Sequence, residues 1–258
     1  MFKPLIETPD TVDLDQFLSF CLGSMSKTFV YRGQASHAWS LTPSGFRDAT
    51  GALCSDVERQ RRIVQFQSPQ FQEGCEELIE LVENGEQAKS GLKKSDYSRL
   101  QLFVVAQHFG APTPLLDWTQ SPLIAAFMAT FGSQNDQTIG VFRLDRSAEP
   151  AELIYSDYSE VSFRRIRAQR GGVSTFGVLD KGNLNILPMT IEDYVSAHSA
   201  TYASGAVRCF VDKVCVSIRK KDRERLEDIL TGNGVEIETM FPGSGYWKAQ
   251  SIRQRLGI

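Results

Sequence analysis

Arg32 closes the apolar run Phe29-Val-Tyr-Arg-Gly-Gln34. A strand ending in Arg-Gly sets a planar fork of donors beside a backbone with no side chain in the way. That pairing suits a phosphate, or a planar amide that must come close to the chain. On these six residues alone, an exposed arginine at a strand end is the commoner case.

Three further stretches carry polar groups that could do chemistry. Residues 98–109 have helical spacing, with Leu100, Phe103 and Val104 as the apolar stripe. Gln107 and His108 lie seven and eight positions after Leu100, so the same face ends in two polar groups that need partners. The next segment, Gly110-Ala-Pro-Thr-Pro-Leu-Leu-Asp-Trp-Thr119, is stiffened by two prolines and ends in an acid, an indole and a hydroxyl. Asp117, Trp118 and Thr119 could line a pocket between two buried helices. Equally, Asp117 and Thr119 could cap the next helix while Trp118 fills the core. Spacing does not separate the two readings, although a tight turn between buried helices favours an anchor at Asp117. The last stretch holds Arg164, Arg165, Arg167 and Arg170 just before Gly171-Gly172. Such a basic run is usually a solvated face, but it can also hold a phosphate-bearing ligand or nucleic acid.

The elements that must position these groups follow from period and punctuation. Residues 13–24 predict a helix, with Leu14, Phe17, Leu18, Cys21 and Leu22 at helical spacing. Residues 55–84 predict helix broken at Ser68-Pro69 and ended at Gly85. Ser121-Pro122 opens a helix that is apolar all round and therefore buried. Strand-like runs then follow at 138–144, 152–155, 173–179, 211–218 and 235–241, with charged helix at 221–230 and a last helix at 246–256. Helices in the first half and strands in the second predict one α+β domain spanning 1–258, with no Pro-, Gly- or Ser-rich linker.

Composition excludes several classes. Hydrophobic residues are 41% and charged residues 23% of the 258, which is the balance of a folded protein. The net charge of −3 gives no global attraction to nucleic acid. No apolar stretch approaches the roughly 20 residues of a membrane span, and the N-terminus reads as no signal peptide, so a cytoplasmic protein is expected. The five cysteines are widely spaced and the three histidines stand alone, so buried thiols and no metal site are expected.

Taken together, YRGQ, then W-x-L-x-P-S, then AQHFGAPTPLLDWT, then RIRAQRGG, resemble the FRG-domain family, named for Phe-Arg-Gly. The resemblance is read from Phe29 to about Phe241. It implies an ADP-ribosyltransferase-like fold, opening with an arginine-bearing strand, and a place among bacterial or phage defence and toxin proteins. Carried over by residue, Arg32 would hold the diphosphate or ribose of NAD, used as substrate, and Gly33 would expose backbone to the nicotinamide amide. Tyr31, Gln34, Gln107, His108, Trp118, Thr119 and Arg170 would line the nucleotide site, with Asp117 and Gln169 joining Arg32 in catalysis. Gln169 falls about where transferases keep a catalytic glutamate. A carboxylate steadies an oxocarbenium-like transition state better than an amide, and Glu160 and Asp117 are the nearest substitutes. Pro114 stands where the family commonly has arginine, and the run through Gly243 lacks the two acids of F-P-D-L-D-G. The expected activity is ADP-ribosyl transfer to a nucleic acid or protein, away from membranes. The alternative is a non-catalytic module that senses a nucleotide or phage component.

Overall fold

The computed structural model describes residues 1–23, 28–86, 98–108, 110–131, 135–157, 169–180 and 183–235. Two short strands, β1 (Lys3–Pro4) and β2 (Thr11–Asp13), lead into helix α1 (Leu14–Gly23) and then strand β3 (Phe29–Gln34). Helices α2 (Asp56–Phe66), α3 (Pro69–Glu86) and α4 (Arg99–His108) follow, then strand β4 (Leu116–Thr119) and helix α5 (Pro122–Thr130). Next come β5 (Gln137–Asp145), β6 (Leu153–Asp157), β7 (Gly171–Asp180) and β8 (Asn183–Ile186). The short helices α6 (Ile191–Ala197) and α7 (Ser199–Ala203), strand β9 (Val211–Ile218) and helix α8 (Lys220–Gly232) complete them.

Local chemistry sets most of these ends. The Ser55 hydroxyl accepts from the Glu58 N–H at 3.3 Å to start α2, and Pro69 opens α3. The expected stop at Gly85 is passed by one residue, because α3 runs to Glu86. At the end of α4, Gly110 adopts a left-handed φ of 84°. Its N–H donates to the Gln107 carbonyl at 2.9 Å and that of Ala111 to Ala106 at 3.0 Å, the Schellman pattern. Ser121 caps α5, with Pro122 in its first turn.

The strands form one sheet in the order β1-β9-β5-β3-β4-β7-β6, with β2 beside β9 and β8 beside β7. Every pairing is antiparallel except β2 with β9. The first half is mostly helical and the second rich in strands, as expected, but the sheet draws on both. β1 to β4 come from the first half, and β3 and β4 lie at the centre of the sheet. β4 was read as a loop because four residues between prolines are too short to show a period.

Alternation along the strands gives the sheet two apolar faces. On one, Tyr31, Ile139, Val141, Val214 and Val216 pack against α1, α5 and α8 through Phe17, Ala125, Ala129 and Leu226. On the other, Val30, Trp118, Phe142 and Phe176 pack against Leu41 and against Ile191 and Val195 of α6. Helices α2 to α4 form a third layer, in which Phe66, Phe71 and Phe103 meet Val173 of β7 and Leu184 of β8. The result is a single α+β domain. All five cysteines are buried thiols, and burial pushes Cys21 and Cys75 up to about 12. Among the described residues, no helix is long and apolar enough to cross a membrane. The expected helix 246–256, and the strand 235–241 beyond Val235, lie outside the described residues.

Candidate functional site

Strand β3 pairs with β5 along its whole length, from Phe29–Asp145 to Gln34–Gly140, but with β4 only at Tyr31–Thr119. Past that pair the ladder between β3 and β4 stops, and a cleft of about 240 Å³ opens in the middle of the sheet. Tyr31, Arg32, Gly33, Asp117, Trp118 and Thr119 form its two strand walls, with Gln107 and Gln169 beside them. Eight residues singled out in the sequence thus meet at one place. Ile124, Ala125 and Met128 of α5 also line it. They were read only as members of a buried helix, since an apolar lining residue carries no signal of its own.

Arg32 is half-committed. Its Nη1 donates to the Asp117 backbone carbonyl at 2.8 Å, which that carbonyl needs because β3 offers it no ladder partner. The Asp117 carboxylate stands 3.8 Å from the same nitrogen, with 39% of its side chain exposed. An ion pair this open contributes about 0–1 kcal/mol. Arg32 Nε is buried and has no partner among the described residues. A buried donor without an acceptor costs about 1–3 kcal/mol, so an acceptor brought by a ligand would be well received there.

The other residues are more firmly tied. Thr119 donates its hydroxyl to the Gln169 carbonyl at 2.7 Å and accepts from the Ser121 N–H at 3.2 Å, locking the end of β4 to the approach of β7. Trp118 is buried in the core, and its indole N–H donates to Ser174 Oγ at 2.7 Å. Of its two readings, the structure gives the core. Gln107 accepts from the Thr113 hydroxyl. Gly33 is a packing glycine, because a Cβ there would overlap the Ala125 carbonyl of α5. Gly171 stands likewise against the Trp118 carbonyl, so the close approach that Gly-Gly permits is made by the neighbouring strand.

Two expected lining residues sit elsewhere. Gln34 is buried with its amide donating to the Ser40 carbonyl at 2.9 Å, and its partner is therefore the loop after β3. Arg170 is exposed at a φ of 45°, and its carbonyl accepts from the Gln120 N–H at 2.8 Å. His108 ends α4, but its side chain lies outside the described residues, as do Glu160, Arg164, Arg165 and Arg167.

A second, larger groove of about 800 Å³ is lined by Ser44, Arg47, Thr50, Arg61, Arg62 and Pro112 among others. The sequence reading missed it. Its signal was Arg47, three residues after the W-x-L-x-P-S run. Arg47 donates Nε to the Thr42 carbonyl at 3.0 Å. Burial, and then the positive charge of Arg32, hold its proton affinity below the usual arginine value.

Fold and cleft together define an α+β protein whose central sheet is opened between two strands beside an arginine. Residues 27–138, from the lead into β3 to the start of β5, match the FRG domain family. The YRGQ, W-x-L-x-P-S and AQHFGAPTPLLDWT blocks fall inside it. The RIRAQRGG block and everything to Phe241 lie beyond it, so the match is shorter than the resemblance read from the sequence. No curated protein and no solved structure matches the chain.

Proposed function

We propose that the cleft between β3 and β4 binds NAD as substrate and that the chain transfers ADP-ribose to a macromolecular acceptor, nucleic acid or protein, as a defence or toxin-like effector. The observation that carries this reading is the state of Arg32. It is a planar cation at a break in the sheet, with a buried Nε awaiting an acceptor and an acid 3.8 Å away.

The residues divide the work. Arg32 offers its fork to a phosphate oxygen, which suits it better than lysine because two parallel bonds form at once. Asp117 is the acidic side chain among the described lining residues, and its charge favours positive charge developing on a ribose. Gln169 and Gln107 present amides that can orient hydroxyl groups. The C–N glycosidic bond of NAD breaks, nicotinamide leaves as the neutral base with the bonding electron pair, and the ribose C1′ bonds to an acceptor oxygen or nitrogen, whose proton passes to solvent. At about 240 Å³ the cleft falls below the ~300–1,000 Å³ usual for small-molecule sites. One end of a dinucleotide fits it, and the rest must lie outside.

A second reading, a non-catalytic module sensing a nucleotide, is favoured by Gln169, an amide on a wall where an acid would serve transfer better. Incubating the protein with labelled NAD and a cell extract tests both. Wild type should transfer label and Arg32→Lys should not, with its melting temperature unchanged. NAD binding without transfer would support the sensing module. Absence of binding, or a fully active Arg32→Lys, would overturn the NAD site.

A further inference from the structure

Thr113, itself fully buried, lies between the cleft and the larger groove: its N–H donates to Ser44 Oγ at 3.2 Å, its carbonyl accepts from the Gly45 N–H at 2.8 Å, and its hydroxyl reaches Gln107. Ser44 and Gly45 line the groove, and Gln107 lines the cleft. Arg32 stands on the cleft side and Arg47 on the groove side.

The arginines of the groove differ in their commitments. Arg61 and Arg62 are both held by Glu58, at 2.7 and 2.8 Å. Arg62 also donates to the Gly45 and Arg47 carbonyls at 3.0 and 2.6 Å. Arg47 spends only its Nε, on Thr42, leaving both terminal nitrogens without a protein partner among the described residues. It also lines a smaller cavity of about 420 Å³ with Trp39, Ser40 and Thr50, so it stands at a junction. Burial and then the charge of Arg32 both lower its hold on its proton, so Arg47 feels the Arg32 charge from the far side of Thr113.

We propose that Arg32 and Arg47 form a two-guanidinium clamp for the diphosphate of a nucleotide, which runs from the cleft into the groove. An anion between them relieves their repulsion and meets Arg32 Nε together with the Arg47 terminal nitrogens. It also gives the half of the ligand that the cleft cannot hold a place to lie. Naming a dinucleotide rests on the NAD reading above. The clamp itself requires only a diphosphate, so inorganic pyrophosphate is the probe.

Wild-type protein is treated with phenylglyoxal with and without pyrophosphate, and modification at each arginine is followed by mass spectrometry. Arg32 and Arg47 should both be protected, while Arg61, which shares the groove but is held by Glu58, should react at an unchanged rate. Arg47→Lys, which keeps the charge and loses the fork, should weaken pyrophosphate binding about ten-fold. An unchanged Arg47 rate under saturating pyrophosphate, or wild-type affinity in a folded Arg47→Lys, overturns the clamp. The labelling arm uses the wild-type chain and so holds whether or not the variant folds. Protection of both arginines by pyrophosphate with no NAD binding keeps the clamp and removes the NAD reading. NAD binding with Arg47 unprotected by either ligand does the reverse.

Discussion

Strand β3 meets β5 along six residue pairs and β4 along one. The closed seam buries apolar side chains on both faces, Val30 and Phe142 on one and Tyr31 and Val141 on the other. The open seam carries Arg32, Asp117 and a buried nitrogen without an acceptor. A strand can afford one such seam only because the other is complete. The closed side fixes where the backbone of β3 lies, so its side chains on the open side need not contribute to folding. Apolar packing and an open polar cleft thus lie on opposite edges of a single strand.

Breaking the closed seam should have the largest effect. Leu144 is fully buried opposite Val30, and Leu144→Ala should lower the unfolding free energy by about 2–5 kcal/mol in a urea titration. NAD affinity of the fraction still folded should stay near wild type. Breaking the open seam should do the opposite. Asp117→Asn keeps size and removes charge, so transfer should fall by about 10²-fold or more while stability changes by less than about 1 kcal/mol. Matched losses of stability and turnover would make Asp117 an anchor instead.

Legibility in the sequence divides along the same line. The closed seam was readable because its two strands carry apolar runs, Phe29-Val-Tyr31 in β3 and Ile139, Val141, Phe142 and Leu144 in the nine-residue β5. The cleft was readable because arginine, acid and amide types stand out against apolar neighbours, and four of those residues, Arg32, Gln107, Asp117 and Gln169, do meet. What failed was the geometry between them. Nothing in Leu116-Asp-Trp-Thr119 says that it is a central strand, since its partners are Tyr31 and the run from Gly171 to Ser174, far away in sequence. Gln34 and Trp118 are polar-capable groups satisfied inside the protein, by Ser40 and Ser174, and a sequence cannot show where a hydrogen bond ends. Arg47 went unread for the converse reason, since one arginine after a proline-serine turn resembles any surface arginine.

The smallest effect sharpens the comparison at the rim. The loop leaving β3 is anchored where the Leu41 N–H donates to the Glu192 carboxylate. Burial lifts that carboxyl above the usual range, and the Leu41 bond and the Lys213 charge offset only part of the rise, while Asp193 adds to it. Its folded-state value exceeds the unfolded one, so its favourable contribution is complete below about pH 4.5 and is lost as pH rises through the folded value. Glu192→Gln should therefore raise the melting temperature slightly at pH 7, and the gain should vanish on acidification. A loss at neutral pH would mean that the charge itself holds the loop.

The five cysteines described with the fold have a practical consequence. Every one is buried, and Cys21 and Cys75 are held far from ionisation. Only the ionised thiol reacts with alkylating reagents, so the folded molecule is chemically silent towards them. Cys21 lies in the layer that covers the closed seam, and Cys75 in the three-helix layer. The native chain thus carries a built-in clock for each layer. The rate at which each thiol becomes reactive times the opening of its own part of the protein, with no label introduced.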